Sequence, residues 1–79
     1  MMTGEGIRHL QVLKDNVKKN VRILCTDGEV LVAQIVHVDE DELDVIYDLV
    51  SSNRPERYAR PGAAYLLKLA DVVEVDLVK

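Results

Sequence analysis

Apolar residues recur along this chain at two spacings, and the change from one to the other divides it. Ile7, Leu10, Leu13 and Val17 return at helical intervals, with Arg8, Gln11 and Lys14 facing away. Thr3 is placed to cap that segment, and Glu5 in its first turn suits the positive end of a helix dipole. A short amphipathic helix is therefore expected over about residues 4–15, with Asp15-Asn16 as its stop. Alone it would be marginal, so its apolar stripe needs a surface to cover.

From residue 20 onward the period is two. Val21, Ile23 and Cys25 alternate with Arg22, Leu24 and Thr26, which predicts a strand over 20–26, and Asp27-Gly28 is a hairpin signal. A second strand follows over 29–38, with Leu31, Ala33, Ile35 and His37 on one face and Val30, Val32, Gln34, Val36 and Val38 on the other. Asp39–Glu42 is a charged turn. Leu43, Val45, Tyr47 and Leu49 then alternate with Asp44, Ile46, Asp48 and Val50 in a third strand over 43–50. Residues 51–62 hold two prolines, a glycine and three arginines, which makes them a loop and not a core strand. Two more strands, over 64–69 and 72–78, meet at a tight turn at Ala70-Asp71. The expected architecture is one all-β domain over 1–79: an N-terminal helix and five antiparallel strands. Closure into a small, strongly bent barrel or SH3-like roll would hide the strand edges. The helix would cover an open end or a face.

Composition then adds a constraint. The chain has 79 residues and a single cysteine, so an internal disulfide is excluded, and Cys25 with the distant His9 and His37 makes poor zinc-site material. A domain this small needs an unusually good core or partner subunits. A hydrophobic fraction of 48% with 30% charged residues excludes disorder and membrane embedding. No export signal or membrane-length apolar run is visible, so the cytoplasm is the expected location. The net charge of -4 is distributed in blocks. Residues 27–48 carry Asp27, Glu29, Asp39, Glu40, Asp41, Glu42, Asp44 and Asp48 with no Lys or Arg, while 1–26 and 49–68 are net basic.

Little of this is catalytic chemistry. Cys25 falls in the alternating apolar register of the first strand, a core position; His37 lies near the end of the second and could be a half-buried hydrogen-bond partner. No nucleophile–base or acid–base pair stands out, so no catalysis and no cofactor are expected. Calcium is a poor reading of Asp39–Asp44. An EF-hand loop wants an oxygen ligand where Leu43 sits and a glycine where Asp44 sits, between helices. The one basic and aromatic cluster is Arg54, Arg57, Tyr58 and Arg60, whose guanidinium forks and ring suit phosphate and stacked bases.

Residues 17–49 resemble the first motif of the Sm and Sm-like (LSm, Hfq-like) family. Val21, Ile23 and Cys25 match its first strand, Asp27-Gly28 its turn, Leu31, Ala33 and Ile35 its second strand, and then Asp39 follows. Leu43-Asp44 stands where the family commonly has Met-Asn, and Leu67, Lys68, Asp71 and Val72 resemble the second motif. The resemblance implies a helix and bent five-stranded barrel whose fourth strand pairs with a neighbour's fifth. Rings of five to eight subunits that bind single-stranded RNA would result. It also implies candidate contacts at Asp44 and Lys68, beside which the basic loop of Arg54, Arg57, Tyr58 and Arg60 is a separate candidate phosphate surface. Several positions depart from the family. Ala33 replaces a glycine, Asp44 the base-reading Asn, and Leu69 a glycine; no aromatic precedes Leu43, and the turn is one residue longer. A carboxylate cannot donate while ionised, so the usual uridine pocket would be impaired or redirected. The alternative is a structural or protein–protein interaction module on the same scaffold with no nucleic-acid ligand.

Overall fold

The computed structural model describes residues 4–58 and 64–78. Thr3, Arg60 and the Pro61-Gly62 pair lie outside them. The chain opens with helix α1 (Gly4–Asp15), followed by strands β1 (Asn20–Cys25), β2 (Val30–Asp39), β3 (Asp44–Ser52), β4 (Ala64–Lys68) and β5 (Val72–Leu77). Short 3-10 turns cover Pro55–Arg57 and Leu69–Asp71. The helix stops where the sequence suggested. The Asn16 side-chain amide donates to the Val12 carbonyl at 2.7 Å, and its backbone N–H to Leu13 at 3.2 Å, which satisfies the last turn's open acceptors.

A five-stranded antiparallel sheet with a helix against it was expected, and both are present. The expected barrel is not. The strand order is β4-β3-β2-β1-β5, so β4 bonds to β3, β5 bonds to β1, and the ends of the sheet do not pair with each other. The cause lies in the link between the last two strands. The expected link is a tight turn at Ala70-Asp71 between adjacent strands, but Leu69–Asp71 instead forms a 3-10 turn that carries the chain from one edge to the other. Thr26 receives it there, donating its N–H to the Asp71 carbonyl at 2.9 Å.

An open sheet must have its apolar face covered. That face carries Val21, Ile23, Cys25, Leu31, Ala33, Ile35, Val45 and Tyr47, with Leu69 and Val72 closing the end. Leu13 of α1 is fully buried against them, and the helix lies over β5, β2 and the Leu69–Asp71 turn. Burial of that leucine contributes on the order of 2 kcal/mol.

The face assignment of β2 holds only as far as Ile35. The β2–β3 register shifts between Val32 and Ala33 and again between Ile35 and His37. A bulge adds one residue and exchanges inside for outside. His37, placed with the core set by simple alternation, is therefore exposed, and Val38 packs against the core in its stead.

Among the described residues, two other than glycine have left-handed backbones, Lys18 (φ 70) and Leu43 (φ 54), each just before a strand. Gly28 (φ 89) closes the β1–β2 turn, where a side chain would be strained.

Candidate functional site

The residues singled out in the sequence fall into two groups at opposite ends of the β2–β3 ladder. At one end, Asp44 opens β3 and Lys68 closes β4, directly across the ladder from each other. Val45, Tyr47, Tyr65 and Leu67 turn toward the core, so Asp44 and Lys68 share the outer face. The next pair on that face is Ile46 with Leu66, and His37 of β2 lies opposite Ile46. The two turns behind Asp44 and Lys68 are tied together, because the Leu69 N–H donates to the Leu43 carbonyl at 2.9 Å. Asp39 holds the acidic turn by accepting from the N–H groups of Asp41 and Glu42 at 2.9 and 3.0 Å. Lys14 of α1 forms an ion pair with Glu40 across the same turn, an exposed contact worth little on its own.

At the other end, the segment 52–58 is fastened to the β1–β2 turn around Glu29. This residue is 5% exposed, the only buried charged side chain among the described residues. Its carboxylate accepts from Tyr58 Oη at 2.5 Å, Ser52 Oγ at 2.6 Å and Arg57 Nη1 at 3.1 Å. Arg57 also reaches Asp27 Oδ2 at 2.6 Å, and Arg54 donates to the Asp27 carbonyl oxygen at 2.9 Å. Asn53 completes the fastening by accepting from the Val30 N–H at 2.9 Å and donating to the Gly28 carbonyl at 3.3 Å. The Tyr58 and Tyr47 hydroxyls lie 3.0 Å apart, and the Tyr58 ring meets Tyr65 edge-on with centroids separated by 4.8 Å.

Several ionisations follow from this arrangement. Asp27 is held below the usual carboxylate range, first by the Glu29 backbone N–H and then by Arg57. Arg57 is raised further, chiefly by Asp27. Tyr58 is pushed well above an ordinary phenol by burial and then by the Glu29 carboxylate, which needs its proton; burial raises Tyr47 as well. The Cys25 thiol is pushed up to about 11, by burial first and then by the charges of Glu29, Asp27 and Asp71. A thiol so strongly protonated is a weak nucleophile at neutral pH.

Cys25, Asp27 and Glu29 bring their ligand atoms within 4.8 Å of one another. Arg57 already supplies positive charge to both carboxylates, and burial keeps the thiol protonated, so the group is a hydrogen-bonded ion pair beside a core cysteine. Glu29 was not singled out in the sequence. The signal was there: it has the same parity as Leu31, Ala33 and Ile35, which places it on the inward side immediately before β2. Arg54, Arg57 and Tyr58 do come together, but Arg57 and Tyr58 face their own protein's carboxylates.

No protein-family model matches the chain, and no curated protein does. Solved structures do. The crystal structure of an SmAP (LSm) protein from Methanococcus vannielii aligns with a TM-score of 0.66 at 18% identity, covering 98% of this chain and 100% of that one. A novel Sm-like archaeal protein from Pyrobaculum aerophilum aligns with a TM-score of 0.65 at 15% identity, covering 89% of this chain and 51% of that one. The chain thus has the fold of Sm-like proteins and spans about half the length of the second of these relatives. No helix among the described residues is long and apolar enough to cross a membrane.

Proposed function

We propose that this chain is an Sm-like subunit that joins copies of itself, β4 of one to β5 of the next. The product would be a ring of about five to eight members that holds single-stranded RNA without catalysis. The observation that carries this reading is the pair of strand edges left open on an Sm-like fold. Each edge has backbone groups that another strand can satisfy, and each carries exposed apolar side chains: Leu66 on β4, Val73 and Leu77 on β5. Lys68 and Asp44 would contact the RNA. A phosphate contact from the 52–60 loop would fall to Arg54, whose guanidinium meets a neutral carbonyl, and to Arg60, because Arg57 is neutralised from within.

Size-exclusion chromatography with light scattering tests the assembly. A mass of five or more subunits is expected, and a monomer near 8.9 kDa would overturn the ring. Fluorescence anisotropy with labelled RNA at low and moderate salt tests the ligand, and millimolar or weaker affinity at low salt would overturn RNA binding. Lys68→Ala is expected to weaken binding and to lower its salt dependence by about one ion.

The engagement of Arg57 and the acidic Asp39–Asp44 turn favour a second reading, a protein-binding assembly on the same scaffold. A ring that binds none of the oligomers and co-purifies with protein would support it.

A further inference from the structure

Resting on the RNA-binding reading above, we propose that Asp44 and Lys68 select guanine among the bases of single-stranded RNA. The two side chains share one face across the β3–β4 ladder, yet among the described residues no side-chain ion pair or hydrogen bond joins them or engages either one. Asp39 next to them spends its carboxylate on the turn, whereas that of Asp44 is open. The bond from Leu69 to Leu43 holds the two supporting turns at a fixed distance. Ile46 and the exposed His37 continue the same face, an apolar and imidazole surface on which a base ring can rest.

The base follows from the donor and acceptor inventory. An ionised carboxylate only accepts. Uracil offers it one N3–H flanked by two carbonyl oxygens, which repel it. Adenine and cytosine each offer one amino group beside a ring nitrogen that is itself an acceptor. Guanine presents N1–H and the N2 amino group side by side, so both carboxylate oxygens are satisfied at once. Its O6 lies on the same edge, next to N1, where the Lys68 ammonium can donate to it. Charge-assisted, bidentate bonds of this kind are the strong ones. A carboxamide at position 44 would donate as well as accept and would suit the mixed edge of uracil. The acidic turn around the site repels phosphate, which makes these direct base contacts the main source of discrimination.

Anisotropy titrations of the full chain with short labelled RNAs test this, using oligo-U, oligo-A, oligo-C, an alternating guanine–uracil strand and the same strand with inosine for guanine. The guanine strand is expected to bind at least about tenfold tighter than oligo-U. Inosine lacks the N2 amino group and should lose most of that advantage. Asp44→Asn should shift the preference toward uracil, and Lys68→Met should weaken the guanine strand while leaving its advantage over inosine. Equal or tighter binding of oligo-U, an inosine strand that binds like guanine, or a guanine preference that survives Asp44→Asn would each overturn the proposal. Guanosine monophosphate competing as well as the strand would overturn RNA as the source of the base. If wild type binds no strand at all, the RNA-binding reading itself fails, an outcome distinct from binding without a guanine preference.

Discussion

Glu29 concentrates more consequence than any other single residue. Its carboxylate is buried, and three side chains donate to it. Glu29→Ala removes the acceptor shared by the Tyr58 and Ser52 hydroxyls and leaves Arg57 Nη1 with Asp27 alone, which should cost about 2–4 kcal/mol in urea unfolding. Glu29→Gln keeps the shape and should cost less. The alkaline limb reports on Tyr58 together with Tyr47 and Cys25, which are also raised by burial. The folded phenol keeps its proton where the unfolded one gives it up, so its contribution is complete below an unfolded pKa of about 10 and is lost as pH rises beyond that. Tyr58→Phe should flatten that limb while costing about 1 kcal/mol at neutral pH, read from urea midpoints across pH. Parity along β2 could have located Glu29 in the sequence. Its partners could not be found that way, because Ser52 ends β3 beyond the strand expected over 43–50, and Arg57 and Tyr58 lie in a segment with no periodicity to say where it folds.

Elements were legible wherever a regular period ran uninterrupted. Helix α1 and the five strands follow from spacings of the apolar residues, and the Asp27-Gly28 turn from its residues. What escaped depends on single irregularities: the β2 bulge that turns His37 outward, and the 3-10 turn that sends β5 to the far edge in place of closing a barrel. The bend before β1 is another. There Lys18 takes a left-handed backbone, donates its N–H to the Ile35 carbonyl and accepts from Gln34 at 3.1 Å. Lys18→Gly should be neutral or stabilising by up to about 1 kcal/mol, whereas the β-branched Lys18→Val should lose about 1–2 kcal/mol by thermal or urea unfolding. The Asp44–Lys68 pairing was legible only through the family resemblance, which suggested both residues before the ladder put them opposite each other.

For the molecule as a whole, an open sheet implies exposed edges, and in the proposed assembly those edges govern association. Leu66→Lys with Val73→Lys should leave the circular dichroism of the chain unchanged, since both positions face outward, but shift its mass by light scattering toward 8.9 kDa. Strand order also bears on how the chain reaches its final state. β1 and β5 are hydrogen-bonded although Arg22 and Asp76 are separated by 54 positions, whereas β2 and β3 meet across one short turn. Closing so long a loop is entropically unfavourable until the intervening strands have formed, which makes β5 the last strand to dock and the first to detach. Amide hydrogen exchange in the isolated subunit should show β5 opening at lower free energy than β2 and β3. A growing polypeptide therefore finishes its sheet only when β5 emerges, and until then the vacant side of β1 is a template that any copy of β5 nearby can fill.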